Sequence, residues 1–170
     1  MSEVVLTLIA DDRAGIVETI ADVVRQNSGN WLESRMVSLS GKFAGLLSVE
    51  IADEHKPALI TAMAGLAEQG IKISVEQTTG VTNDIQENWL IDIVGQDAPG
   101  IVQEISRNIA LIGGHVVEIS SERAPASMSG EMMFLAAYAV HIPSDMDIDE
   151  VQKSVESVSF DLSVEISPIE

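Results

Sequence analysis

The chain has 170 residues, with 27 Asp and Glu against 9 Lys and Arg, and a formal net charge of -18. That length fits one domain or two small ones with buried cores, and a hydrophobic share of 46% excludes an intrinsically disordered chain. The acidic balance argues against a protein that tracks nucleic-acid phosphates or docks on anionic lipid, because both need clustered Lys and Arg. With no cysteine, disulfides, thiolate metal sites, Fe–S clusters and cysteine nucleophiles are excluded. Met1-Ser2-Glu3 lacks the basic start of a signal peptide, and the longest apolar run, Met132 to Val140, is nine residues, too short for a helical span. A cytoplasmic protein is the expectation.

The elements come in two equivalent series. Asp12-Arg13-Ala14-Gly15-Ile16-Val17 recurs 85 residues later as Asp97-Ala98-Pro99-Gly100-Ile101-Val102. At the same offset Ile20 matches Ile105, Gly29 matches Gly114 and Glu33 matches Glu118. A shift of half the chain length marks two copies of one module, a first domain at 1–80 and a second at 86–170, with a polar joint at 79–87.

Each copy opens on a β-branched apolar run, Glu3 to Ala10 or Asn88 to Gly95, that reads as a strand. A helix follows, with Asp12 or Asp97 as the expected N-cap and Pro99 tolerated in the first turn of the second copy. Ile16, Ile20 and Val24 share one helix face, as do Ile101, Ile105 and Ile109. Gly29 and Gly114 mark the expected helix stops. A hairpin turning at Gly41-Lys42 comes next in the first copy, and a longer loop, Ala124 to Gly130, in the second.

Second helices carry Leu59, Met63 and Leu66, or Ile148, Val151, Val155 and Val158, and closing strands are expected at Ile71 to Thr78 and Phe160 to Ile166. The module is β-α-β-β-α-β, an α+β ferredoxin-like pattern with both helices on one face of an antiparallel four-stranded sheet. Between Met132 and Ile142 both alternating sets are apolar, so the outward face of that strand is expected to pack on another module or subunit.

This pattern hosts many functions, so residues must decide. RNA recognition needs exposed aromatics in basic surroundings, and Phe43 and Tyr138 are isolated in an acidic chain. An acylphosphatase-like hydrolase needs an Arg in a phosphate cradle after the first strand; Arg13 is there, but Ala98 replaces it in the second copy and the glycine-rich cradle is missing. His55, His115 and His141 show no metal-ligand spacing, and no serine sits in a GxSxG elbow. No catalytic residue, metal or cofactor is expected. The repeated Asp-x-x-Gly-Ile-Val stands out, since a helix N-terminus presents unpaired N–H groups suited to a carboxylate. Gly15 and Gly100 either admit a ligand to the backbone or let the helix lie close on the sheet.

On these residues the chain resembles tandem ACT domains. Gly29-Asn30-Trp31-Leu32-Glu33-Ser34-Arg35, Phe43-Ala44-Gly45 and the stretch from Ser121 to Gly130 resemble the glycine cleavage system transcriptional repressor family. The resemblance implies an amino-acid-binding regulator rather than an enzyme, with glycine or another small amino acid as ligand. It implies a site between the first loop and the start of the second strand, formed at a subunit or domain interface. The matching residues are Asp12, Gly15, Ile16, Val17, Asn30, Trp31 and Leu32, and Asp97, Gly100, Ile101, Val102, His115, Val116 and Val117. It further implies a homodimer that acts through a protein partner such as a transcription activator, without direct nucleic-acid contact. A ligand-free dimerisation module is the alternative. Ala14 departs from the family's usual proline, Ala98 from its arginine and His115 from its common asparagine.

Overall fold

The computed structural model describes residues 1–78 and 85–169; of the expected joint, 79–84 lie outside them. The chain forms two compact units, Met1–Thr82 and Asn83–Glu170.

In the first unit, β1 (Ser2–Asp11) leads through a tight loop to α1 (Ile16–Gln26), then to the hairpin of β2 (Asn30–Leu39) and β3 (Lys42–Ile51). Helix α2 (Lys56–Gly65) runs into a short 3-10 helix, Leu66–Gln69, and β4 (Ile71–Gln77) closes the unit. The second unit repeats this with β5 (Trp89–Gln96), α3 (Ile101–Leu111), β6 (His115–Pro125), β7 (Met132–His141), α4 (Ile148–Glu156) and β8 (Ser163–Pro168). The sheets have the orders β2-β3-β1-β4 and β6-β7-β5-β8, every pairing antiparallel. This is the α+β ferredoxin-like architecture expected, twice over.

The cores follow from the two periodicities. Val4, Leu6, Leu8 and Ala10 point alternately inward from β1 and meet Ile16, Ile20 and Val24 at helical spacing on α1. Ile91 and Ile93 of β5 meet Ile101, Ile105 and Ile109 in the same way. Each aliphatic side chain so buried stabilises its unit by roughly 1.5–3 kcal/mol. Among the described residues no charged or polar residue is buried, but Tyr138 carries its hydroxyl into the second core. It takes the position of Leu47, since Leu6 pairs with Leu47 and Ile91 with Tyr138. Burial pushes the pKa of that hydroxyl up, partly offset by a hydrogen-bonding contact with Ser106 whose geometry is poor.

Several expected boundaries move for identifiable reasons. Asp12 and Asp97 do not cap the helices: the N-caps are Gly15 and Gly100, three residues later, and Pro99 precedes the helix instead of entering it. The helices end at Gln26 and Leu111, and the left-handed stop residue falls one position before the expected glycines. Ser28 and Gly113 take the left-handed conformation, at φ 60° and 77°. The N–H groups of Gly29 and Gly114 then donate to Val24 and Ile109, and those of Ser28 and Gly113 to Arg25 and Ala110, which is the Schellman pattern. Gly29 is needed for space: a Cβ there would lie 2.9 Å from Val49 and 3.0 Å from Val24.

The hairpin turns at Ser40-Gly41, not Gly41-Lys42. Both residues have positive φ, 50° and 78°, as a two-residue hairpin with a right-handed twist requires. Phe160 is fully exposed and precedes β8. Asp161 accepts from the Gln96 N–H and the Ser159 hydroxyl, and Leu162 takes the core position. Finally, the outward side of β7 is half-buried, whereas the more exposed apolar surface lies on the first sheet, at Ile9, Val37 and Leu46.

Ser28 pays for a left-handed backbone that glycine adopts freely, so Ser28→Gly is expected to stabilise the first unit by up to about 1 kcal/mol and Gly113→Ser to destabilise the second by a similar amount. Urea denaturation of each variant measures this. The same measurement on Tyr138→Phe should show little loss of stability, because the hydroxyl removed is desolvated and its contact with Ser106 has poor geometry.

Candidate functional site

The loop between β1 and α1 is held at both ends. The Asp12 N–H donates to the Gly41 carbonyl at 2.9 Å, and the Asp12 carboxylate accepts from the Ser38 hydroxyl at 2.5 Å. Arg13 donates to the Gln69 carbonyl at 2.7 Å, so its guanidinium secures the end of the 3-10 helix and is not part of a phosphate cradle. Asp11 pairs with Lys42, whose hydrogen bond and charge hold the carboxyl below its ordinary range.

Gly15 has φ 89° and ψ 0°, and Gly100 has φ 87° and ψ -2°. These are the dihedrals of the third residue of a type II turn, which an L side chain disfavours. In the second unit the turn is closed by the Ile101 N–H to the Ala98 carbonyl at 3.3 Å, with Pro99 at the second position. A Cβ on either glycine would meet nothing within 4 Å. The glycines therefore do not serve to bring the helix onto the sheet; backbone conformation requires them, and the space beside them is open.

That space is a cleft of about 290 Å³ in the first unit, lined by Asp12, Arg13, Gly15, Ile16, Val17 and Phe43. Ile16 is buried beneath it, while Val17 is exposed. The corresponding cleft of the second unit, about 470 Å³, is lined by Asp97, Gly100, Ile101, Val102, Arg123 and Phe134 among others. Here Arg123 Nε lies 2.7 Å from the Asp97 carboxylate, and the Asp97 side chain is only 22% exposed. The first-turn N–H groups of α1 and α3 have no partner four residues back, so both clefts are bounded by the positive end of a helix.

The other half of the expected site lies elsewhere. Asn30 pairs with Glu50 at one end of the first sheet, whereas Leu39 pairs with Lys42 at the end bearing the loop. Eight residue steps along β3 separate them, about 26 Å. A single unit thus does not bring Asn30, Trp31 and Leu32 to Asp12 and Gly15, nor His115, Val116 and Val117 to Asp97 and Gly100. Trp31 and Val116 pack partly against the cores, Leu32 and Val117 sit at register shifts in β2 and β6, and Asn30 and His115 are exposed. His115 faces His141 in register, and His141 Nδ1 lies 2.9 Å from the Gln86 carbonyl. Among the described residues, however, no three side chains of metal-binding type come together.

Phe43, Arg123 and Phe134 line the clefts and Ser38 holds the Asp12 carboxylate, and none of the four is among the expected site residues. Ser38 and Arg123 occupy equivalent positions, 85 residues apart like Asp12 and Asp97, but only the register of the hairpin brings them to the loop.

Residues 2–76 match the model of the ACT domain family. No curated protein sequence matches the chain. Among solved structures, an unknown protein from Galdieria sulphuraria superposes with a TM-score of 0.80 at 24% identity, over 99% of each chain. A structure called "putative glycine cleavage system transcriptional repressor" does so with a TM-score of 0.76 at 17% identity, over 99% of this chain and 98% of its own. The first unit matches the ACT domain family, and the second unit repeats the same fold. Over 99% of its length the chain shares the fold of that putative repressor. Among the described residues no helix is long and apolar enough to cross a membrane.

Because the Asp97–Arg123 pair is partly exposed, it is worth little to the fold. Arg123→Ser, which copies the first unit, should lower the unfolding free energy by no more than about 1 kcal/mol in urea. A much larger loss would show that Arg123 is a structural staple and not a cleft residue.

Proposed function

We propose that the protein is an amino-acid-responsive regulator without catalytic activity. A small amino acid such as glycine binds at the β1–α1 cleft and changes contacts with a protein partner, for instance a transcription activator, without direct nucleic-acid contact. The observation that carries this reading is the duplicated cleft. A carboxylate held by a neighbouring hydroxyl is set beside a helix N-terminus whose glycine leaves the backbone open. The helix end suits a ligand carboxylate, Asp12 suits its ammonium, and the small cleft bounds the side chain. The likeness to the structure titled as a glycine cleavage repressor adds support for the regulatory role. Asn30-Trp31-Leu32 and His115-Val116-Val117 contribute only where another copy brings them to the loop.

The two clefts are not equivalent. To take an ammonium group, Asp12 gives up a neutral Ser38 hydroxyl, whereas Asp97 must give up an Arg123 guanidinium. We therefore assign binding to the first unit. The Asp97–Arg123 pair favours the second reading, a ligand-free structural module, for the second unit.

A thermal-melt screen against the twenty amino acids tests this. At 100 times its Kd a ligand adds about 2.7 kcal/mol, a shift of several degrees. Asp12→Ala should abolish the shift and Asp97→Ala should leave it. Gly15→Val is unsuitable as a probe because its φ strains any L side chain, so lost binding and lost stability would be confused. No shift with any amino acid in the wild-type protein would favour the ligand-free module for both units.

A further inference from the structure

Two histidines that lie 26 positions apart in the chain come together on the second sheet. His115 opens β6 and pairs directly with His141 at the end of β7. The next pair in the register, Val116 and Val140, packs on the core, so alternation turns both imidazoles to the outward face. Directly opposed residues of an antiparallel pair have Cβ atoms about 4.5–5.5 Å apart. Two imidazole nitrogens on one tetrahedral ion lie about 3.3 Å apart, given metal–nitrogen bonds of about 2.0–2.1 Å. Two rings rooted at the first spacing can converge to the second with no movement of the backbone.

The backbone under both rings is fixed. Asn88 brackets His141: its side chain donates to the Ile142 carbonyl and accepts from the Ile142 N–H, both at 2.8 Å, and its own N–H donates to the Val140 carbonyl at 2.9 Å. His115 follows Gly114, whose N–H closes α3 onto Ile109. The His141 ring is oriented as well, with Nδ1 2.9 Å from the Gln86 carbonyl oxygen. A carbonyl only accepts, so Nδ1 carries the proton and Nε2 of the neutral ring keeps its lone pair. A ring N–H held by a carbonyl is the usual support of a metal-ligating histidine.

The surrounding charge favours a cation. Among the described residues, the outward face of the second sheet carries Asp92, Glu118, Glu122 and Glu165 and no Lys or Arg, whereas that of the first carries Lys42 and Lys72. Glu118 stands in the row next to the histidines, opposite Ala139. The equivalent pair in the first unit is Asn30 and Glu50, so the two histidines belong to one copy alone.

We propose that His115 and His141 bind a divalent transition-metal ion of the Zn²⁺, Cu²⁺ and Ni²⁺ class through one ring nitrogen each, with water completing the coordination. Imidazole selects this class over Mg²⁺ and Ca²⁺, which take oxygen ligands. Two protein ligands make an exchangeable site, in contrast to the four of a closed structural one. The ion ties the edge strand β6 to β7 where β6 begins. This is the opposite end of β7 from the loop cleft, where Asp97 meets Met132, and the site owes nothing to amino-acid binding.

Calorimetric titration of the full chain with Zn²⁺, in excess Mg²⁺ to occupy surface carboxylates, tests the proposal. The wild-type protein should bind one Zn²⁺ per chain. His115→Asn, which copies the first unit, and His141→Gln should each weaken binding about a hundredfold, because chelation by two linked ligands becomes binding by one. His55→Gln should bind as the wild type does. Neither His115 nor His141 is in the core, so circular dichroism and the urea midpoint of both variants should stay close to the wild type without metal. In proton NMR, Zn²⁺ should shift the ring signals of His115 and His141 together and leave those of His55 in place. A wild-type protein that binds no Zn²⁺ overturns the proposal. So does binding that survives either substitution or is displaced by Mg²⁺, which would assign the ion to carboxylates, or a shift of one ring without the other.

Discussion

Two helices cover one face of each four-stranded sheet, and that one-sided burial governs everything else in the molecule. Val4, Leu6, Leu8 and Ala10 can be dry only because α1 supplies Ile16, Ile20 and Val24 above them. The crossover from β1 to α1 must therefore rise steeply off the end of the sheet within four residues, Asp12 to Gly15. A type II turn with glycine third makes the climb, and it leaves a helix N-terminus and a glycine backbone facing open space. The candidate site is thus a consequence of how the core is closed. The bare outer face of the sheet is the other consequence.

The turn also explains why the aspartates matter without capping anything. An N-cap side chain bonds to N–H groups two or three residues on in its own helix; Asp12 lies four residues before Ile16 and cannot do this across a left-handed glycine. Its carboxylate goes instead to Ser38, on the strand that ends beside the loop, and its N–H goes to the hairpin at Gly41. Asp97 follows the same course to Arg123 and Met132. Loop, hairpin and helix start are locked together at one corner of each unit, so the cleft there is preformed and needs little ordering to accept a ligand.

The parts of this fold that were legible in the sequence are those with a short-range physical signature. The 85-residue offset, the helical spacing of the isoleucines and the alternation in β1 each depend on neighbours a few residues apart. The boundaries that moved depend on backbone sign. Nothing in the composition says that Ser28 and not Gly29 takes the left-handed position, or that Ser40 shares the turn with Gly41. The Asp12–Ser38 contact was out of reach for another reason: it is fixed by the register of β2 on β3, and β2 contains a shift between Trp31 and Glu33 that counting cannot locate. The opposed placement of Asn30 and Asp12 follows from strand direction. It was implicit in the βαββ order, because a strand that follows a crossover helix runs parallel to the first and begins at the far end.

Duplication gave the two units the same frame, and their differences fall at positions where that frame tolerates change. Leu47 becomes Tyr138 in the core, and Ser38 becomes Arg123 at the cleft. The first change places a poorly satisfied hydroxyl under α3, a cost that a well-packed aromatic ring can offset by its greater buried area. The second converts a neutral hydrogen bond to the loop carboxylate into an ion pair. Its effect is on recognition more than on stability, since an exposed pair contributes little to folding but decides which charges can enter the cleft. The outer faces diverge in the same sense: lysines are kept on the first and absent from the second. In all three places the fold is indifferent and the surroundings are not. Such positions are where one copy of a repeat can diverge from the other without loss of the shared fold.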